Sequence, residues 1–254
     1  MNYTKSELMV VAAARELRND DSVLVGIGKP NLACNVAKRT HAPDLKMTYE
    51  SGTIGSNPSS PPLSIGDPAL ASGAVSIEPM RNGFNYYLQA GRLDVGFLGG
   101  AQIDKYGNIN STVIGDYDDP KVRLPGSGGA CEIAGHVDRT LVVTPHSARR
   151  FPEEVDFITS PGYVDGREGR KELGLDGGPE AVITDLAVCR FDERGEMYVD
   201  SVHPNATREE VQAETGWEIE FADDLETTPE PEGEELRLIR EELDPDEMYT
   251  DQAE

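Results

Sequence analysis

Basic residues are scarce in this chain of 254 residues: 23 Lys and Arg stand against 47 Asp and Glu, a formal net charge of −24 at pH 7. That balance excludes nucleic acid and anionic membrane surfaces as partners, since both are polyanions. Cysteine is nearly absent. Cys34, Cys131 and Cys189 are odd in number, widely spaced and without a CxxC pair, so no disulfide framework and no zinc site is expected, and reduced thiols suit a reducing compartment. The four histidines, His41, His136, His146 and His203, show no metal-ligand spacing, so no metal is expected. No apolar run is long enough to span a bilayer. Met1 to Glu7 contain no basic region followed by a hydrophobic segment, so a cytoplasmic location is expected rather than a secretory one. There is no internal repeat.

What is present argues for an ordered α/β protein. Apolar runs and glycine turns recur along the whole chain, unlike disordered acidic segments. The length suffices for one large domain or two small ones. The acidity, with Arg outnumbering Lys about two to one, reads as a surface adapted to high salt. At molar salt the Debye length falls to about 3 Å, which mutes self-repulsion.

Lys5 to Arg18 has helical periodicity, and Thr4 with Glu7 forms a capping box at its start. Ser22 to Gly28 reads as a buried strand, Pro30 opens a helix running to Arg39, and Leu45 to Tyr49 is a second strand. These make a strand-helix-strand crossover. Its second strand delivers Glu50 to its tip, before Ser51 and Gly52. In parallel α/β proteins that end of the strand gathers ligands and chemistry, which makes Glu50 a candidate nucleophile, base or ligand. The plainer alternative is a Glu that starts a solvated turn. Gly26-Ile27-Gly28 followed by an acid about 20 residues on also imitates a dinucleotide-binding fingerprint. However, Asn31 replaces its third glycine and Pro30 lies inside the loop.

Thr53 to Pro79, rich in Gly, Ser and Pro, reads as a long functional loop. Phe84 to Ala90 is helical, Leu93 to Leu98 a strand, and Lys105-Tyr106-Gly107-Asn108 a hairpin turn. Leu124 to Cys131 forms a glycine cluster whose backbone N–H groups suit an anion or oxyanion, or else a flexible surface turn. Strands follow over Arg139–His146, Val155–Thr159, Ala181–Thr184 and Met197–Val199, with an antiparallel edge. Thr207 caps a helix to Thr215. The resulting fold class is α/β, an open, mostly parallel sheet flanked by helices with an antiparallel edge. Residues 1–222 form its domain, and 223–254 an acidic linker, a short helix and a loose tail.

Taken in order, Glu50-Ser51-Gly52, Gly99-Gly100-Ala101-Gln102-Ile103-Asp104, Tyr106-Gly107-Asn108, Asn110-Ser111-Thr112, Gly126-Ser127-Gly128-Gly129-Ala130, Thr159-Ser160-Pro161-Gly162 and the C-terminal Leu238 to Pro245 resemble the family I coenzyme A transferases. The likeness is strongest to beta subunits of the glutaconate type. The resemblance implies that Glu50 attacks an acyl-CoA thioester, giving a mixed anhydride and then a glutamyl-CoA thioester, with ping-pong kinetics. It also implies oxyanion amides at Gly128 and Gly129, with a further one near Ile27 or Gly28. Ser51 and Gly52 would turn the strand tip, Gly126 and Ser127 would line the substrate loop, and Gln102 and Asn110 would be polar positioners or structural hydrogen-bonders. Coenzyme A enters as a substrate, with no tightly bound cofactor, and an alpha subunit is the implied partner. Glu50 in its Glu-Ser-Gly context favours transfer over the alternatives, an acyl-CoA hydrolase of the same fold or a non-catalytic CoA-binding subunit.

Overall fold

The computed structural model describes residues 2–58 and 61–250. Ser59 and Ser60 of the Ser/Pro-rich loop, and 251–254 of the expected tail, lie outside the described residues. The chain forms two compact units, one running to Phe97 and resuming at Glu230, the other spanning Leu98–Pro229. Both are α/β.

In the first unit, α1 (Lys5–Arg15) starts on the expected capping box, with Thr4 and Glu7 bonded reciprocally. It is buried from Ser6 to Ala14 and packs on α2 (Lys29–Arg39). Strand β1 (Ser22–Val25) is shorter than expected, because the chain leaves the sheet before Gly28. It pairs in parallel with β2 (Lys46–Tyr49), so the crossover is present, and Val25 lies opposite Tyr49. The Thr53–Pro79 loop is not structureless: β3 (Thr53–Ile54) and β4 (Ser76–Ile77) add antiparallel strands beside β2. With β5 (Val95–Leu98) parallel to β1, the strand order is β4-β3-β2-β1-β5. Two helical segments, Met80–Asn82 and Gly83–Leu88, precede β5, and the second is wide, with the Gln89 N–H donating to Phe84 O at 2.8 Å.

The C-terminal segment returns to this unit. Helical residues Gly233–Arg237 and Leu238–Leu243 are tied to α1 by Arg15, whose Nη2 lies 2.7 Å from Glu235 Oε2, and by Arg240, whose Nε lies 2.5 Å from Glu7 Oε1. Beyond them the expected loose tail is instead ordered to Thr250. The Asp244 carboxylate accepts from the N–H groups of Met248, Tyr249 and Thr250 and from the Thr250 hydroxyl.

The second unit opens with two hairpins, β6 (Gln102–Ile103) with β7 (Ile109–Asn110), and β8 (Val113–Gly115) with β9 (Pro120–Arg123). Strand β10 (Arg139–Val143) runs parallel to β11 (Gly178–Ile183). Then β12 (Ala187–Phe191) and β13 (Met197–Val202) form the antiparallel part. The segment read as an acidic linker from 223 starts inside β14 (Glu220–Thr227), which pairs in parallel with β13 and is mostly exposed at the sheet edge. Val155–Thr159 is not a strand. Only its neighbour Ser160 bridges to Ile109, while Asp156 and Thr159 turn their side chains to other partners.

Candidate active site

The end of β2 is built by its neighbours. Tyr49 is fully buried, and its hydroxyl accepts a 2.6 Å hydrogen bond from Asn31 Nδ2, in the first turn of α2. Asn35, one turn on, donates to Asn31 Oδ1 and to Asn31 O, both at 3.0 Å. The two asparagines lie at i and i+4 on the buried face of α2 and fix the last residue of β2. Burial pushes the Tyr49 phenol up, so it stays a neutral anchor.

Glu50 follows directly. It is half-buried, and among the described residues no side chain or N–H donates to its carboxylate. Burial raises its pKa above the ordinary carboxylate value. An acid in that setting is more basic than a surface Glu, and its oxygens are uncommitted. The chain then reverses sharply. The Gly52 N–H donates to Tyr49 O at 2.9 Å, and Gly52 O accepts from the Glu78 N–H at 2.9 Å. Gly52 has φ +99°, and any Cβ there would overlap the Glu78 carbonyl, so only glycine makes this turn. The Ser51 hydroxyl is buried without a hydrogen-bond partner among the described residues.

Gly28 lies at the carboxyl end of the adjacent parallel strand, as the residue before α2, with φ +79°. No side chain caps that helix end. Of the proposed site residues, the first unit thus places Glu50, Ser51, Gly52 and Gly28 beyond the carboxyl ends of the adjacent strands β2 and β1.

The remaining candidates belong to the second unit. The Gly126 N–H donates to Ser111 O at 2.8 Å, while Ser111 Oγ returns a 2.9 Å bond to Gly126 O. This sets the loop that carries Ser127, Gly128 and Gly129 into the helix Ala130–His136. The N–H groups of Gly128 and Gly129 have no acceptor among the described residues, and the space over Gly128 is open. Gln102 and Asn110 differ. Asn110 is fully buried, donates at 2.6 Å to both Gln102 Oε1 and Val113 O, and accepts from the Thr112 and Val113 N–H groups. Gln102 donates to Asp156 Oδ2 at 3.0 Å. Their hydrogen-bonding capacity is committed within the chain, which favours the structural alternative for both. Asp104 is likewise structural: it accepts from the N–H groups of Tyr106 and Asn108 and from Asn108 Nδ2, which accounts for the Tyr106-Gly107-Asn108 turn.

Sequence reasoning passed over Asn31, Asn35 and Arg170. Arg170 is 1% exposed, and among the described residues its guanidinium donates to backbone carbonyls: Gly177, Pro161, Gly162, Ala134 and Asp176. The available signal was the polar i, i+4 pair inside an otherwise apolar helix. Nothing local marks Arg170.

An uncommitted acid and a glycine turn thus lie at the carboxyl ends of adjacent parallel strands, the place where ligands gather in α/β proteins. The coenzyme A transferase family profile matches residues 6–214, and the chain belongs to that family. It is similar to the beta subunit of 3-oxoadipate CoA-transferase from Pseudomonas knackmussii, 51% identical over 94% of this chain and 92% of that protein. It is also similar to the corresponding subunit of glutaconate CoA-transferase from Acidaminococcus fermentans, 40% identical over 98% of this chain and 95% of that one. The crystal structure of glutaconate coenzyme A-transferase from the same organism matches with a TM-score of 0.92 at 39% identity, covering 98% of each chain.

Proposed function

We propose that this chain is the beta subunit of a heteromeric coenzyme A transferase and carries its nucleophile, Glu50. The observation that carries this reading is the half-buried Glu50 carboxylate, uncommitted to any donor, at the end of β2 in a member of this family. A Glu50 oxygen attacks the thioester carbon of an acyl-CoA. The carbon–sulfur bond breaks, CoA leaves as thiolate, and a mixed anhydride remains. The thiolate then attacks the Glu50 carboxyl carbon, releasing the donor acid and leaving a glutamyl-CoA thioester, and the acceptor carboxylate takes CoA by the reverse steps. Nucleophilic catalysis of this kind splits one difficult exchange into easier ones.

By resemblance, the Gly128 and Gly129 amides stabilise the oxyanions, with Gly28 a further donor. Each such donor is worth about 3 kcal/mol of barrier. The partial burial of Glu50 limits the access of water to the anhydride. Dicarboxylic acyl groups, 3-oxoadipyl or glutaconyl, are the substrate class that the relatives' names support. Initial-rate kinetics of the assembled enzyme test the reading. Parallel double-reciprocal plots and loss of exchange in Glu50→Ala are expected. Intersecting plots, or CoA release without acceptor at the rate of exchange, would replace transfer by a sequential or hydrolytic reaction.

A further inference from the structure

Asn31 and Asn35 are the polar members of the buried stretch of α2, whose other buried residues are Leu, Ala, Cys and Val. Neither asparagine is more than 1% exposed, and Tyr49, which Asn31 faces, is fully buried. For stability alone, two apolar side chains would serve nearly as well as the Asn31–Tyr49 pair, because a buried hydrogen bond between neutral groups gains little over apolar groups of the same shape. What the hydrogen bonds add is direction. Asn35 Nδ2 occupies Asn31 Oδ1, which turns Asn31 Nδ2 to the Tyr49 hydroxyl.

Asn31 also joins the two halves of the strand-tip site. Its N–H donates to Gly28 O at 3.0 Å, its side chain donates to the Tyr49 hydroxyl at 2.6 Å, and Tyr49 O accepts from the Gly52 N–H at 2.9 Å. Three hydrogen bonds therefore run from the loop before α2 to the turn around Glu50, and no side chain caps that end of the helix. Val25 and Tyr49 are the last paired residues of β1 and β2, so the Asn31 side chain spans the two strands where their ladder ends. We infer that Asn31 is a positioning residue of the transfer reaction: through Tyr49 it sets where the Glu50 carboxylate stands relative to the Ile27–Gly28 amides. The inference rests on Glu50 being the nucleophile, as proposed above. The thioester carbon must be reached by the nucleophile while its oxygen meets a donor, and a misplacement of about 1 Å costs about 100-fold in rate. Loosening the tie lets the two drift apart without removing either.

The test combines Asn31→Leu with Tyr49→Phe, which removes both hydrogen-bonding groups and leaves Asn35 Nδ2 its 3.0 Å bond to the backbone carbonyl of residue 31. In the assembled enzyme, the burst of donor acid released on mixing with acyl-CoA, without acceptor, is followed against acyl-CoA concentration, and the melting temperature is measured on the same samples. The maximal burst rate should fall about 10- to 100-fold, the half-saturating acyl-CoA concentration should stay within about 3-fold of wild type, and the melting temperature should be kept. If the double variant fails to fold, Tyr49→Phe alone, which deletes one oxygen, reads the same tie. A maximal rate within about 3-fold of wild type, or a loss confined to acyl-CoA affinity, would overturn the positioning role. Glu50→Ala in the same assay separates the two readings. If it abolishes the burst, the nucleophile stands whatever the Asn31 variants do; a burst that survives it removes the nucleophile reading and the positioning role together.

Discussion

Replacing Arg170 by Lys tests how the second unit is held together around the helix that follows its glycine loop. The buried guanidinium uses a planar fork to reach Ala134 O at 2.7 Å, Asp176 O at 2.8 Å, Pro161 O and Gly162 O at 3.0 Å, and Gly177 O at 3.1 Å. Among the described residues no carboxylate forms an ion pair with it; desolvation lowers its pKa, and the nearby Tyr163 and Asp176 oppose that pull. Its direct hydrogen-bond partners are carbonyl dipoles. Lysine is shorter and offers three donors against five. At least two carbonyls would be left unsatisfied while a charge stayed buried, and each lost bond to a charged group costs roughly 1.5–3 kcal/mol. Partial relaxation brings the expected loss to about 3 kcal/mol, or roughly 6–12 °C in melting temperature for a protein of this size. Urea and thermal unfolding followed by circular dichroism would measure it. Because Ala134 belongs to the helix that begins just after Gly129, turnover should fall as well at temperatures where the variant is still folded. A variant within 0.5 kcal/mol of wild type would refute the claim that these five contacts stabilise the second unit.

Three further outcomes follow from the same structure. His146 is buried against Phe151, with Nδ1 3.1 Å from Thr184 Oγ1 and Nε2 3.0 Å from Thr215 Oγ1, and burial pulls its pKa from 6.5 to about 4 against the opposing pull of Asp185 and Glu214. The unfolded chain then takes up the proton first as pH falls. The stability this residue contributes is intact above about pH 6.5 and lost towards pH 4, about 3 kcal/mol in all; urea midpoints across that range should show a slope that His146→Gln removes. Val164 holds φ +67°, a strained value for a β-branched residue, and the Asn108 side chain bonds both its N–H and its carbonyl. Val164→Gly should therefore be neutral or stabilising by about 1 kcal/mol, and a loss greater than that would show that no strain is stored there. Raising KCl from dilute to molar should increase the melting temperature, because screening relieves a −24 surface; an unchanged or lower value would count against adaptation to salt.

The crossover that positions Glu50 was legible because local signals agree: a capping box at Thr4, apolar strand runs, Pro30 in the first turn of α2 and Gly52 at the reversal. Elements whose evidence is tertiary were not legible. Strand β14 is acidic and exposed on an edge, so it lacks the apolar alternation that marks a strand. Val155-Asp156-Phe157 has that alternation, yet Asp156 and Thr159 are drawn away to satisfy Gln102 and the Ser111 N–H. Asp244-Pro245-Asp246 reads as tail composition until the Asp244 carboxylate is seen closing three backbone N–H groups. At the site, Glu50 and Gly52 stood out by position in the chain. The link from Asn31 to Tyr49 did not, because a buried asparagine gains meaning only from its partner across the fold. For Gln102 and Asn110 the sequence left a ligand role and a structural one open, and the hydrogen bonds favour the second: Asn110 donates to Gln102 and to Val113 O, and Gln102 donates to Asp156.

The central claim is tested most directly by chemical trapping at Glu50. The assembled enzyme is incubated with acyl-CoA in the absence of acceptor acid, treated with hydroxylamine, digested, and read by peptide mass spectrometry. The account predicts a hydroxamate on Glu50 that forms only when acyl-CoA is present. Exchange that proceeds at full rate with Glu50 unmodified, or that survives Glu50→Ala, would contradict it.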